Sequence, residues 1–206
     1  VYKRQVQEGL AFRFTPFNYK KWGDAEGDNR YAIDTEKFYE NVMNRYKYGG
    51  LDTPGLYLDE TTMRICYSHR RLFAQLAKEL VKQGDNARAQ KVLAYAEQAI
   101  PAYNVPQVYE SGSYDIATAY ASIGETGKAI TLLNDLISES RDYIDWAFSL
   151  GDSRIAMVQR DCLYKFWQWN QCNGLLKDMD KERYKQSNQQ FEEKYMRLAQ
   201  LMNYQN

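Results

Sequence analysis

Residues 71–101, RLFAQLAKELVKQGDNARAQKVLAYAEQAIP, decide how this chain folds. Phe73, Leu76, Ala77 and Leu80 recur at helical spacing, as do Met63 and Cys66 before them, whereas Arg64, Arg71, Lys78, Glu79 and Lys82 fall elsewhere. That pattern gives one apolar stripe and one wet face. Asp59 is read as the N-cap of this helix, and Gly84, just past Gln83, as its left-handed C-terminal residue. Asn86 is read as the cap of a second helix, whose Ala89, Val92, Leu93, Ala96 and Ile100 form the facing stripe before Pro101 ends it. Ala77 and Ala89 let two antiparallel helices approach closely. Leucine at either position is expected to overpack the crossing by ~1–3 kcal/mol, read as a lower unfolding midpoint.

Phe73, Leu76, Ala77, Leu80, Ala89, Leu93 and Pro101, with Gly84 at the turn, occupy the places of the tetratricopeptide signature, with Phe for Trp at the first and Leu for Tyr at the fourth. A second, more degenerate copy follows when Gly124 is set against Gly84. Ile116, Ala117, Tyr120, Ala129 and Leu133 then fill the equivalent places, while Ser113 and Arg141 stand where Phe73 and Pro101 were. The extra residues lie in AYNVPQVYESG, so the expected arrangement is two helical repeats joined irregularly.

Charge is balanced, with 27 basic and 27 acidic residues in 206. No net field draws the chain to nucleic acid or to an anionic surface. The length suits one ordinary domain with a substantial core. The 18 tyrosines suit packing bulk with a polar rim. Cys66, Cys162 and Cys172 have neither CxxC spacing nor a histidine set for zinc, and each reads as a buried thiol. No apolar run approaches the roughly 20 residues that cross a bilayer. Val1 rather than Met opens the sequence, which is expected to be part of a longer polypeptide.

In chain order, Leu10, Phe12 and Phe14 alternate with Ala11, Arg13 and Thr15, a strand-like pattern ending at Pro16. Such a segment must pair with another extended piece or lie along the helices. Asp24, Glu26 and Asp28 alternate in GDAEGDN without the EF-hand spacing, and read as a solvated turn. Asp34 or Thr35 caps a helix with Phe38, Val42 and Tyr46 inward, stopped by Gly49-Gly50. Leu56, Tyr57 and Leu58 are expected to fold back on these stripes. Beyond Gly127 a long helix carries Leu136, Ile137, Ile144, Ala147 and Phe148. Asp152 or Ser153 opens the next, with Ile155, Val158, Cys162, Phe166 and Trp169 inward. Trp167 lies off that stripe beside Gln168, Asn170 and Gln171; packing on the last helix is its plain use, a carbohydrate or peptide contact its functional one. The last helix, with Tyr184, Phe191, Tyr195, Leu198 and Met202, keeps a seven-residue rhythm and reads as a terminal cap.

The expected fold is therefore all-α, with about six helices in tetratricopeptide-like antiparallel pairs. Residues 1–34 form an extended entry segment and 35–206 one helical repeat domain. No P-loop, GxGxxG, GxSxG or HExxH is present. His69, three residues beyond Cys66, reads as a core histidine rather than half of a Cys-His pair. Arg64 and Arg71 share a helix face, Arg70 does not, and pairing with nearby acids is the ordinary use of each. Candidate recognition residues are Arg13, Arg64, Arg71 and Trp167.

GLAFRFTPF, the helix ending in YKYGG, LDTPGLYLDE, LAKELVKQGDNARAQKVL and the VP of AYNVP, taken in that order, resemble the C-terminal region of a large Bacteroidetes membrane-protein family described as protein O-mannosyltransferase-like. The resemblance spans roughly residues 9–133. It implies a multi-spanning membrane region elsewhere in the parent, which would carry the catalytic carboxylates, and a soluble C-terminal part facing the periplasm. No catalytic residue carries over to this chain. The expected function is a non-catalytic accessory domain of a membrane glycosyltransferase, its partner a protein, a peptide or the parent's own membrane part, with no cofactor, metal or nucleic acid. Two alternatives are a stand-alone peptide-binding adaptor and a helical carbohydrate-active enzyme using an Asp/Glu pair with Trp167 or Trp169 as sugar platform.

Overall fold

The computed structural model describes residues 4–16, 32–152 and 154–203, the side chains of 202 and 203 excepted. The turn bearing Asp24, Glu26 and Asp28 lies outside them, as does the alternative cap Ser153. Strands β1 (Gln5–Gln7), β2 (Phe12–Phe14) and β3 (Ala32–Ile33) precede helices α1 (Thr35–Glu40), α2 (Glu60–Lys82), α3 (Asn86–Ala99), α4 (Ser113–Ser122), α5 (Thr126–Ser149), α6 (Ile155–Met179) and α7 (Lys181–Asn203). The fold is all-α with a short extended N-terminal segment. Two compact units make up the chain, Val1–Pro106 and Gln107–Asn206. The boundary falls inside the stretch 35–206 that the sequence treats as one unit, and the strands belong with the first hairpin.

In the first unit, β1 lies between β2, antiparallel with Val6 opposite Arg13, and β3, parallel with Val6 opposite Ala32. The strand-like pattern thus pairs with another extended piece, but Leu10 sits in the turn before β2, and Leu10, Phe12 and Phe14 are exposed. Val6 and Gln7 face inward. Gln7 and Gln75 exchange amide hydrogen bonds of 3.1 and 2.7 Å, which fasten the sheet to α2. Gly9, at φ 115°, passes under Tyr46 so closely that a Cβ would strike the phenol. The Leu10 N–H donates to that same Tyr46 oxygen at 2.9 Å.

Asp59 caps α2 by accepting from the Thr62 N–H at 2.8 Å. At its other end Gly84 takes φ 79°. Its N–H donates to Val81 O and the Asp85 N–H to Leu80 O, at 3.0 and 2.9 Å, closing a Schellman turn. The same pair of bonds recurs forty residues on, from Gly124 to Ala121 O and from Glu125 to Tyr120 O, at 3.1 and 3.0 Å. Both helical hairpins therefore turn by one device. The cap of α3 is Asp85 rather than Asn86, because the Schellman turn delivers Asp85 with its carboxylate 2.9 Å from the Arg88 N–H.

Phe73, Leu76, Ala77, Leu80, Ala89 and Leu93 are fully buried, and Pro101 is buried. Ile116, Ala117, Tyr120, Ala129 and Leu133 are buried in the second hairpin. α1 runs into a π-helical turn at Asn41–Arg45 before Gly49 and Gly50. Leu56 and Tyr57 do not fold back on the helix stripes; both are exposed, in a turn-rich segment held at the carbonyls of Leu51, Asp52 and Thr53.

In the second unit α5, α6 and α7 pack in succession around Leu136, Ile144, Cys162, Phe166, Trp169, Cys172, Leu176 and Leu198. Arg154, without a side-chain cap bond, precedes α6 in place of Asp152. The Trp169 indole N–H donates to Ser187 Oγ at 2.7 Å, and the Ser187 hydroxyl to Asn173 Oδ1 at 2.6 Å, binding α6 to α7.

Candidate interaction surface

α6 is apolar on both faces. Ile155, Cys162, Phe166 and Trp169 are buried, while Met157, Leu163, Tyr164 and Trp167, a half-turn away, are exposed. A second apolar stripe on one helix asks for cover of its own. Part of that cover comes from the one-turn 3-10 helix Tyr109–Ser111 that precedes α4. Ser111 Oγ donates back to Val108 O at 2.7 Å and lies 2.8 Å from Ser113 Oγ, which bonds to Gln107; Gly112 at φ 82° then lets the chain enter α4.

This turn delivers Tyr109 to Trp167, ring centroids 5.3 Å apart at 67°. Trp167 stacks on Tyr164 at 5.7 Å and 13°, and Tyr109 on Tyr114 at 5.2 Å and 24°. The four rings form a continuous ladder from α4 to α6. Its α6 end is open, with Trp167 47% and Tyr164 46% exposed. Burial first, then the neighbouring Tyr114, raises the Tyr109 phenol well above the ordinary value; Asp115 and Tyr164 add to it. Burial, Cys172 and Asp115 raise Tyr114 likewise. Both hydroxyls stay protonated throughout the physiological range, so the α4 end of the ladder is neutral.

Beside it runs a charged row. Lys165 Nζ, its side chain 11% exposed, lies 2.8 Å from Glu139 and 3.8 Å from Glu110. Glu110 Oε1 accepts from Gln168 Nε2 at 2.6 Å, and Gln168 is completely buried with its Oε1 unpartnered among the described residues. Two carboxylates therefore flank one ammonium next to an exposed indole. Both carboxylates thus lie within ion-pair reach of the same lysine. Trp169 is fully buried and offers no sugar platform.

Of the other expected recognition residues, Arg13 pairs with Glu8 and, at 3.5 Å, with Asp34. Arg64 pairs with Glu60 at 2.5 Å on the exposed side of α2, and Arg71 donates to Ser68 Oγ at 3.3 Å. Each bonds to a side chain nearby in the chain or the sheet. Arg70 departs from the expected acid pairing. It is 1% exposed and donates to the carbonyls of Val105, Pro106 and Ile100 at 2.6, 2.7 and 3.2 Å.

His69 is half-buried, edge-on to Tyr48 and Tyr46. Burial lowers its pKa and raises that of Cys66, opposite to what a thiolate–imidazolium pair requires. Burial, then Glu139, pushes the Cys172 thiol up to about 12. Among the described residues no His, Cys, Asp and Glu side chains gather as a metal set, and no helix is long and apolar enough to cross a membrane.

Sequence reading finds Trp167 beside Gln168 but misses Tyr109 as the ring partner of the first and Glu110 as the acceptor for the second. The one local signal for a surface here was the second apolar stripe of α6, Met157 to Trp167. Compared with family models, curated proteins and solved structures, the chain matches none.

Proposed function

We propose that this chain is a non-catalytic protein-interaction domain of tetratricopeptide type, with the open end of the Tyr109–Tyr114–Trp167–Tyr164 ladder as its contact surface. One observation carries the reading. An indole is held half exposed between a stacked Tyr164 and an edge-on Tyr109, on a helix whose polar row is already internally paired. Such a row fixes geometry; it leaves no group placed to attack a bond. Rigid amphipathic rings with little side-chain entropy to lose are what contact surfaces favour.

The resemblance of the ordered runs from GLAFRFTPF to AYNVP extends the proposal: the partner is a membrane glycosyltransferase or its protein acceptor, at the periplasmic face. The purified protein, assayed with lipid-linked sugar donors, acceptor peptides and aryl glycosides, should give no turnover. Turnover that survives purification and disappears in Glu139→Gln would overturn the non-catalytic reading in favour of the carboxylate-pair alternative.

A further inference from the structure

The charge around the ladder points to the chemistry of what docks there. Glu139 is closer to Lys165 than any other carboxylate with which that lysine is paired, and the two cancel. Glu110 remains, 43% exposed and held in place through one oxygen by Gln168. Asp115 opens α4 beside Tyr109 and Tyr114, close enough to raise both phenols. Asp161, exposed and an acceptor for the Tyr143 hydroxyl at 3.4 Å, stands one turn before Tyr164 on α6. Against these three carboxylates the stretch of α6 from Ile155 to Trp169 sets one exposed cation, Arg160. The surface is thus a set of aromatic faces, negative at their centres, inside a fringe of net negative charge.

We propose that the ladder docks an extended peptide segment carrying arginine, its guanidinium planes laid on the Trp167 and Tyr164 rings and its N–H groups turned to Glu110. A guanidinium is weakly hydrated, flat enough to stack on a ring and able to donate sideways to carboxylates at the same time. A lysine ammonium offers the charge without the plane, and a proline segment the plane without the charge. This proposal rests on the contact surface described above and names its ligand.

The test is a titration of the intact protein, followed by Trp fluorescence and calorimetry. Its probes are a Gly-Ser dodecapeptide with two arginines, the same peptide with citrulline for arginine, a proline-rich peptide and a manno-oligosaccharide. The arginine peptide should bind, and weaken when salt is raised from roughly 50 to roughly 500 mM. The citrulline peptide should bind at least about tenfold more weakly. Trp167→Ala should abolish the signal and Trp167→Phe preserve most of the affinity. Glu110→Gln retains an acceptor for Gln168 while removing the charge, and should weaken binding about threefold to tenfold with an unchanged unfolding midpoint. Equal binding of the citrulline peptide, or binding of the proline peptide or saccharide alone, would overturn the arginine assignment while leaving Trp167 as a contact surface. Binding unaffected by Trp167→Ala, or Trp167 emission that shifts on dilution of the protein alone because a second copy covers it, would overturn the assignment as well and show that the ladder is not where a foreign partner docks.

Discussion

Replacing Arg70 by methionine is expected to destabilise the first unit by about 3–5 kcal/mol, seen in urea as an early unfolding transition of its hairpin. The guanidinium lies inside the protein with three backbone carbonyls of residues 100–106 around it. These carbonyls belong to the segment that leaves α3 after Ala99, where no helix or strand satisfies them. Burial pulls the group down to about 10, still far enough above neutrality for it to remain charged. Methionine would fill much of the space but leave the carbonyls without donors, at about 1–3 kcal/mol for each that water cannot reach. Lysine retains the charge and one point of donation, so Arg70→Lys should fall between wild type and methionine. An Arg70→Met protein within about 1 kcal/mol of wild type would show that the segment finds other donors, and that Asn104, bonded at 2.7 and 2.6 Å to Leu51 O and Thr53 O, suffices to hold it.

Arg70 also shows where sequence reading stops. The stripes of α2, α3, α4 and α5 were legible because burial of one face imposes a 3.6-residue period and close crossings demand alanine, both written locally. Asp59 and Gly84 were legible for the same reason, since a cap and a left-handed turn are properties of a few consecutive residues. A guanidinium satisfied by carbonyls leaves no such mark, because every residue has a carbonyl. A nearby acid is therefore the partner the sequence suggests for Arg70, and backbone carbonyls are the partners it has. Asn86 and Asp85 are both competent caps, and only the hydrogen bonds of the preceding turn decide between them. The π-helical turn at Asn41–Arg45 and the exposure of Tyr57 have no local sign either; the second depends on where the chain runs after Gly50, and proximity in sequence to a stripe is not proximity in space.

The proposed contact surface divides in the same way. Trp167 was legible as a large ring off the buried stripe of its helix. Tyr109 and Glu110 were not, because they come 58 residues earlier than their partners Trp167 and Gln168 and reach them through a single 3-10 turn. Nothing in the composition of AYNVPQVYESG marks two of its residues as the far wall of a site on α6. The arginine-binding assignment depends on that long-range pairing and on carboxylates drawn from three separate elements.

Trp169→Ala and Trp167→Ala, two positions apart on one helix, are expected to separate folding from binding. Trp169 is fully buried, stacks near Phe166, meets Phe191 edge-on at 5.7 Å and donates its N–H to Ser187. Its removal should cost about 3–5 kcal/mol, through the cavity between α6 and α7 and through the hydrogen-bond chain to Asn173 left without its donor. Trp169→Phe keeps most of the volume and loses the N–H, so about 1–2 kcal/mol is expected of it. Trp167→Ala removes a ring of which nearly half already faces water, and its unfolding midpoint should correspond to a change below about 1 kcal/mol. In the peptide titration the order reverses: Trp169→Phe should bind as wild type does, and Trp167→Ala should not bind. If Trp167→Ala proved as destabilising as Trp169→Ala, the outward face of α6 would be core rather than surface, and the argument for a docked partner would fall with it.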